Sequence, residues 1–154
     1  VIELKPSAIS YNSAISACEK RGRWQDALAL VEAMRSAGPE PTAISYNAAI
    51  SACQKAARWQ EALCLLRCLE AEGKTAPDAI SYDATLLALS AVGAWQEGLL
   101  LLERKAARGL RQDRGSLSAV RRLLVTPGMP LRHAGWGLRL FEGSSGEGEV
   151  TRQE

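Results

Sequence analysis

At 154 residues with 47% apolar content, the chain can bury the core of one domain but hardly of two. Its 19 basic residues stand against 17 acidic ones, and the +2 excess lies wholly after Asp113, where six arginines face four glutamates. The main body is therefore neutral, which argues against a globally basic nucleic-acid binder and makes any electrostatic argument depend on where charges sit. No apolar run approaches the ~20 residues that cross a bilayer, and Cys18, Cys53, Cys64 and Cys68 offer no secretory disulfide framework. A soluble chain with reduced thiols is expected, and the start on Val1 suggests a fragment or a processed protein.

In chain order, Pro6 and the N-cap candidate Ser7 precede a first helical pattern. Tyr11, Ala14, Ile15 and Cys18 fall at i, i+3, i+4 and i+7, one face of a helix. Gly22 marks a stop, and a second pattern follows with Trp24, Ala27, Leu28, Val31 and Met34. The text then repeats: AISYN at 8–12 returns at 43–47, and AISYD stands at 79–83. Three units, 8–42, 43–78 and 79–113, are 35, 36 and 35 residues long. Pro41 and Pro77, Trp59 and Trp95, and Gly38, Gly73 and Gly109 keep the phase, so the chain is an array.

The second unit repeats the stripes with Tyr46, Ala49, Ile50 and Cys53, then Trp59, Ala62, Leu63, Leu66 and Leu69, with Thr42 as its N-cap. The third begins after Asp78 and runs through Trp95, Gly98, Leu99, Leu102 and Lys105, with Gly93 as the stop between its helices. A lone helical hairpin cannot cover both of its apolar stripes, so successive hairpins have to stack. The expected fold is all-α, an α-solenoid of stacked antiparallel helical hairpins. Gly98 costs ~1 kcal/mol relative to Ala inside a helix, and Lys105 replaces Met34 and Leu69, so the third unit reads as decaying. A partial repeat is expected from 114, within an array spanning 1–125. The stretch TPGMP at 126–130 interrupts it, 126–142 reads as a degenerate helix, and 143–154 as a flexible polar tail.

Opposite the apolar stripe, at ~100° per residue, lie Ile9, Ser13, Ser16 and Lys20, with Asn12 at the border. Ile44, Asn47, Ser51 and Lys55 repeat the arrangement. Asn is a poor helix former because its amide competes for backbone hydrogen bonds, so its recurrence inside a helix points either to recent duplication or to a function. Blander roles compete with the rest. Thr42, Asp78 and Asp113 suit N-caps, Lys20 and Lys55 suit helix C-termini, and Ile9, Ile44 and Ile80 could pack on a neighbouring hairpin. Trp24, Trp59 and Trp95 read as core. Cys64 and Cys68 stand one turn apart, but zinc takes four ligands and His133 is the lone histidine, so no metal is expected. There is no H-x-E with C-x-x-C and no G-x-x-x-x-G-K-[ST], hence no enzyme signature and no cofactor.

The S-Y-N near each start, a first helix ending in Lys, a G-R turn and A-L before a P-D-type linker resemble the pentatricopeptide repeat over residues 1 to about 125. The tetratricopeptide repeat, with period 34 and W-x2-L-G-x2-Y spacing, matches less well. The resemblance implies a right-handed superhelix that binds single-stranded RNA, one base per repeat, in a mitochondrion or chloroplast. It also implies roles. Asn12 with Thr42, Asn47 with Asp78, and Asp83 with Asp113 would read bases; Ile9, Ile44 and Ile80 would prop them; Lys20 and Lys55 would meet phosphate, a place taken by Ala91 in the third unit. The Asn–Asp pair implies uracil and the Asn–Thr pair a pyrimidine, while Asp83 with Asp113 departs from the pattern. Further repeats are expected in the intact protein. The alternative is a tetratricopeptide-like scaffold with protein partners in the same groove.

Overall fold

The computed structural model describes residues 4–130, together with Gly135 and Arg139. Among these residues the elements are seven helices and no strand: α1 (Ala8–Lys20), α2 (Trp24–Ala37), α3 (Ala43–Lys55), α4 (Trp59–Glu72), α5 (Ala79–Val92), α6 (Trp95–Ala107) and α7 (Arg114–Leu124). Each boundary has a local cause. Ser7 accepts from the Ser10 amide at 3.3 Å and Asp78 from the Ser81 amide at 2.9 Å. Thr42 and Ser45 close a reciprocal capping box, and Asp113 accepts from the amides of Gly115 and Ser116 at 3.0 and 3.1 Å. All four residues that precede a first helix thus satisfy amides that the helix itself leaves unpaired.

The turn inside each hairpin passes through the left-handed region at one equivalent position, occupied by Gly22 (φ 65°), Ala57 (φ 55°) and Gly93 (φ 72°). Glycine takes that conformation freely, whereas the alanine strains it.

The helices form two layers. The first helices α1, α3, α5 and α7 pack each on the next, a continuous row, while α2, α4 and α6 lean on their own partner and on the following first helix, and meet one another through long side chains, Arg35 with Glu72 and Arg104 with Glu70. The core lies between the layers, with Ile15, Tyr46, Ile50, Leu66, Leu69, Tyr82, Leu86 and Leu89 all fully enclosed. The two buried tyrosines of the repeated motif reach carboxylates at the rim, Tyr46 Oη donating to Glu72 at 2.5 Å and Tyr82 Oη to Glu70 at 2.6 Å. Trp24, Trp59 and Trp95 are half-buried against the core as expected, and Arg58 of the second unit lies 4.3 Å over the Trp24 ring of the first, a cation–π contact across the repeat boundary.

Gly98 is not a sign of decay. A Cβ there would stand 2.5 Å from Leu123 Cδ1, so the missing side chain lets α7 seat its buried leucine against α6. The expected partial repeat is α7, and residues 126–130 form a turn, closed by the Met129 amide on the Thr126 carbonyl at 3.3 Å. The expected helix over 135–142 and the tail over 143–154 lie outside the described residues, apart from Gly135 and Arg139. No described helix is long and apolar enough to cross a membrane.

Candidate nucleic-acid interface

Because positions 2, 5, 6, 9 and 13 of each unit share one helical face, the row of first helices presents one repeated surface. Ile9, Ile44 and Ile80 are 78%, 68% and 64% exposed on it. The alternative in which these isoleucines pack against a neighbouring hairpin is therefore overturned: the stacking partner covers the Tyr and Ile stripe and leaves this face open. Lys20 is exposed at the end of α1. Lys55, equivalent in α3, pairs instead with Glu19 of the preceding unit at 3.0 Å, and Ser51 donates to the same Glu19 oxygen at 2.9 Å. Burial pushes the Glu19 carboxyl up, but the hydrogen bonds of Lys55 and Ser51 outweigh it and hold the group below the usual carboxylate range. Ala91 is exposed at the corresponding place in α5.

The fifth-position side chains lie at the seam between successive first helices, each gripped from the next unit. Ser45 Oγ donates to Asn12 Oδ1 at 2.6 Å and in turn accepts the Thr42 amide at 3.1 Å. One unit on, Ser81 Oγ donates to Asn47 Oδ1 at 2.5 Å, while Asn47 Nδ2 donates to both Asp78 oxygens at 3.1 and 3.2 Å. The structure thus brings together Asn12 with Thr42 by way of Ser45, and Asn47 with Asp78 directly. The two oxygens of one carboxylate subtend a narrow angle at Nδ2, so a single N–H serves both and the second stays unpaired. Asn12 Nδ2 has no hydrogen-bond partner among the described residues. In both units the serine donates to the amide oxygen, which leaves the amide nitrogen as the donor end beside a group that can accept.

The serines are functional candidates that sequence reasoning passed over. Ser45, Ser81 and Ser116 are fully buried and stand at the third position of their units. Their signal was present in the recurring S of S-Y-N, read there only as part of a signature.

The third pair is built differently. Asp83 Oδ1 accepts from Lys105 Nζ at 2.6 Å and from Ser116 Oγ, and Lys105 Nζ also reaches Ser116 Oγ at 2.5 Å. Lys105 is fully enclosed and the Asp83 side chain 12% exposed. Burial pushes the Asp83 carboxyl up, and the facing Asp113 carboxyl adds to this against the pull of Lys105 and Ser116; Asp113 is held low by Asp83 and by the amides it caps, which outweigh its burial. Lys105 is therefore no flaw at a core position but the counter-ion of the one acidic residue in the row.

Among the described residues no group of three or more metal-ligating side chains occurs, and burial pushes the Cys53 thiol up to about 12 and the Cys68 thiol upward, away from thiolate reactivity at those two positions.

Comparison with known proteins agrees with this architecture. A family model described as the PPR repeat family matches residues 6–55, and one described as the PPR repeat matches 44–73. No curated protein matches the chain. Among solved structures, the pentatricopeptide repeat protein PPR10 from maize superposes with a TM-score of 0.67 at 20% identity, over 92% of this chain and 18% of PPR10. PPR10 in complex with an 18-nt psaJ RNA element gives a TM-score of 0.65 at 25% identity, over 96% of this chain and 24% of that one. The chain thus spans about a fifth to a quarter of the length of these structures. Period, paired helices and capped boundaries run in the register of both family models, so residues 6–73 match the pentatricopeptide repeat and the chain shares the helical-repeat fold of the solved structures.

Proposed function

We propose that the row of first helices binds single-stranded RNA, one nucleotide per repeat, with the second unit taking uracil. The observation that carries this reading is the Asn47–Asp78 pair held by Ser81, in which an amide that keeps a second N–H stands beside a carboxylate. A donor next to an acceptor complements the uracil edge, whose O4 accepts and whose N3–H donates. The first unit places a hydroxyl, which both donates and accepts, where the second has the carboxylate, so Asn12 with Thr42 takes a pyrimidine with less discrimination. Ile9, Ile44 and Ile80 supply apolar surface for base faces, and Lys20 and Lys55 cations for phosphate. The RNA complex formed by PPR10 and the family resemblance support RNA as the ligand and an organelle as the setting, mitochondrion or chloroplast. Neither catalysis nor a cofactor is part of this reading.

Filter binding to homopolymers tests it. The chain should retain polyuridylate more tightly than polyadenylate, by about 5-fold or more, since one good base contact is worth ~1–3 kcal/mol. Equal retention of both would overturn the reading. Capture of a partner that survives ribonuclease would favour the protein-binding scaffold instead.

A further inference from the structure

We infer that Cys64 and Cys68, one turn apart on α4, form a two-thiolate site for a soft d10 cation of the Cu(I) class. The site stands apart from the RNA reading: α4 belongs to the second layer, and no residue assigned to RNA lies on it.

Packing does not account for the pair. The equivalents of Cys64 in the first and third units are Ala29 and Leu100, and those of Cys68 are Ala33 and Arg104, so the repeat has no need of sulfur at either place. Free cysteine is among the most buried residue types, yet Cys64 is exposed and Cys68 only half-buried. Their thiols are in hydrogen-bonding contact. Cys18 and Cys53, by contrast, each stand singly in a core stripe, and Cys53 is fully enclosed.

Spacing decides what the pair can hold. Residues i and i+4 on a helix keep their Cβ atoms ~5–6 Å apart, whereas a disulfide needs ~3.5–4.5 Å, so closing one would distort α4. A cation held in line between two sulfurs adds two metal–thiolate bonds of ~2.3 Å each and spans the turn with the backbone in place. Zinc takes four ligands, and no third His, Cys, Asp or Glu joins this pair among the described residues. Thiolates select soft ions such as Cu(I), for which two ligands in line suffice.

Binding exchanges two S–H bonds for two metal–sulfur bonds, passes two protons to solvent and changes no oxidation state. The product carries one negative charge, and two guanidiniums stand near it. Arg67, three residues from Cys64 and so beside it on the helix, is exposed and has no ion pair among the described residues. Arg35 of α2 draws the Cys68 thiol toward the thiolate, against its burial and the neighbouring Cys64, which push it upward. Glu72, paired with Arg35 at 3.5 Å, is the opposing charge.

The test titrates the whole reduced chain, under nitrogen, with Cu(I) supplied by a coloured chelator, and reads uptake as loss of the chelate's colour. Wild type should withdraw one equivalent. Cys64→Ser, at an exposed position where the fold does not depend on the side chain, should bind at least about 10-fold more weakly, and Cys68→Ser likewise. Silver(I), which takes the same two-sulfur geometry, should compete for the same equivalent. No uptake by wild type, or uptake undiminished by Cys64→Ser, would overturn the site. So would loss of uptake in a Cys18→Ala/Cys53→Ala variant whose helical circular dichroism is intact, since the ion would then lie elsewhere. None of these outcomes bears on RNA binding.

Discussion

Ser81 has no contact with solvent, and its hydroxyl is the donor that satisfies the Asn47 amide oxygen. Truncation by Ser81→Ala strands that oxygen at a half-buried seam, at a cost of about 1–2 kcal/mol. The helix keeps its cap, because Asp78 still accepts the backbone amide of residue 81. Denaturant titration should therefore show a modest loss, and uridine preference should fall although neither Asn47 nor Asp78 is altered; an unchanged preference would refute the orienting role. Lys105→Met differs in kind. It leaves the Asp83 carboxylate enclosed and facing Asp113 with no counter-charge, and removing one member of a buried pair costs about 3–5 kcal/mol; the lower end applies, since Asp83 retains some exposure. The same substitution combined with Asp83→Asn should recover most of that loss, read as the midpoint of urea unfolding. Sequence singled out Asn12, Asn47 and Asp83 because a residue that competes for backbone hydrogen bonds had recurred within a helix. It did not lead to the serines or to Lys105, whose partners lie 33, 34 and 22 residues away and leave no trace in a local pattern.

Helix boundaries, by contrast, were legible almost to the residue. Caps and stripes are local chemistry: Ser7, Asp78 and Asp113 each accept amides within three residues, Thr42 closes a capping box with Ser45, and apolar positions at helical spacing need only a neighbour to bury them. What went unread were positions whose meaning comes from another element. Gly98 looked like a weak point on helix propensity, yet it is the gap into which Leu123 of α7 fits. Gly98→Ala gains ~1 kcal/mol in propensity and loses about 1–3 kcal/mol through overpacking against an enclosed leucine. The expected net is destabilisation that Leu123→Ala partly relieves, measured as a double-mutant cycle; strict additivity of the two changes would argue against the contact. At the hairpin turn of the second unit the sign reverses. Ala57 sits at φ 55° where its equivalents are glycines, and a left-handed non-glycine residue costs about 1–2 kcal/mol, partly offset by the extra freedom glycine has when unfolded. Ala57→Gly should thus raise the melting temperature by about 2–4 °C, the shift that 1 kcal/mol gives at this size.

Over the whole molecule each unit meets only its neighbours, so stability and recognition both accumulate along one direction. Charge along that direction is uneven. At the near end Lys20 stands exposed with no ion-pair partner among the described residues, whereas Lys55 has its charge compensated by Glu19 at 3.0 Å, and the third unit carries Ala91. If phosphates follow the row, each freely contributed cation adds about 0.7 to the slope of log affinity against log salt on a single strand. A cation already paired within the protein adds less, because its release from Glu19 must accompany the contact. Two lysines in identical places of the repeat are therefore expected to behave unequally. Lys20→Ala should lower the salt slope by about 0.7, Lys55→Ala by clearly less, and Glu19→Gln should raise the contribution of Lys55 toward that of Lys20. Titrations of polyuridylate binding across a salt series would measure all three, and equal, full losses for the two lysines would show that the Glu19 pairing places no restraint on Lys55 when a strand is bound.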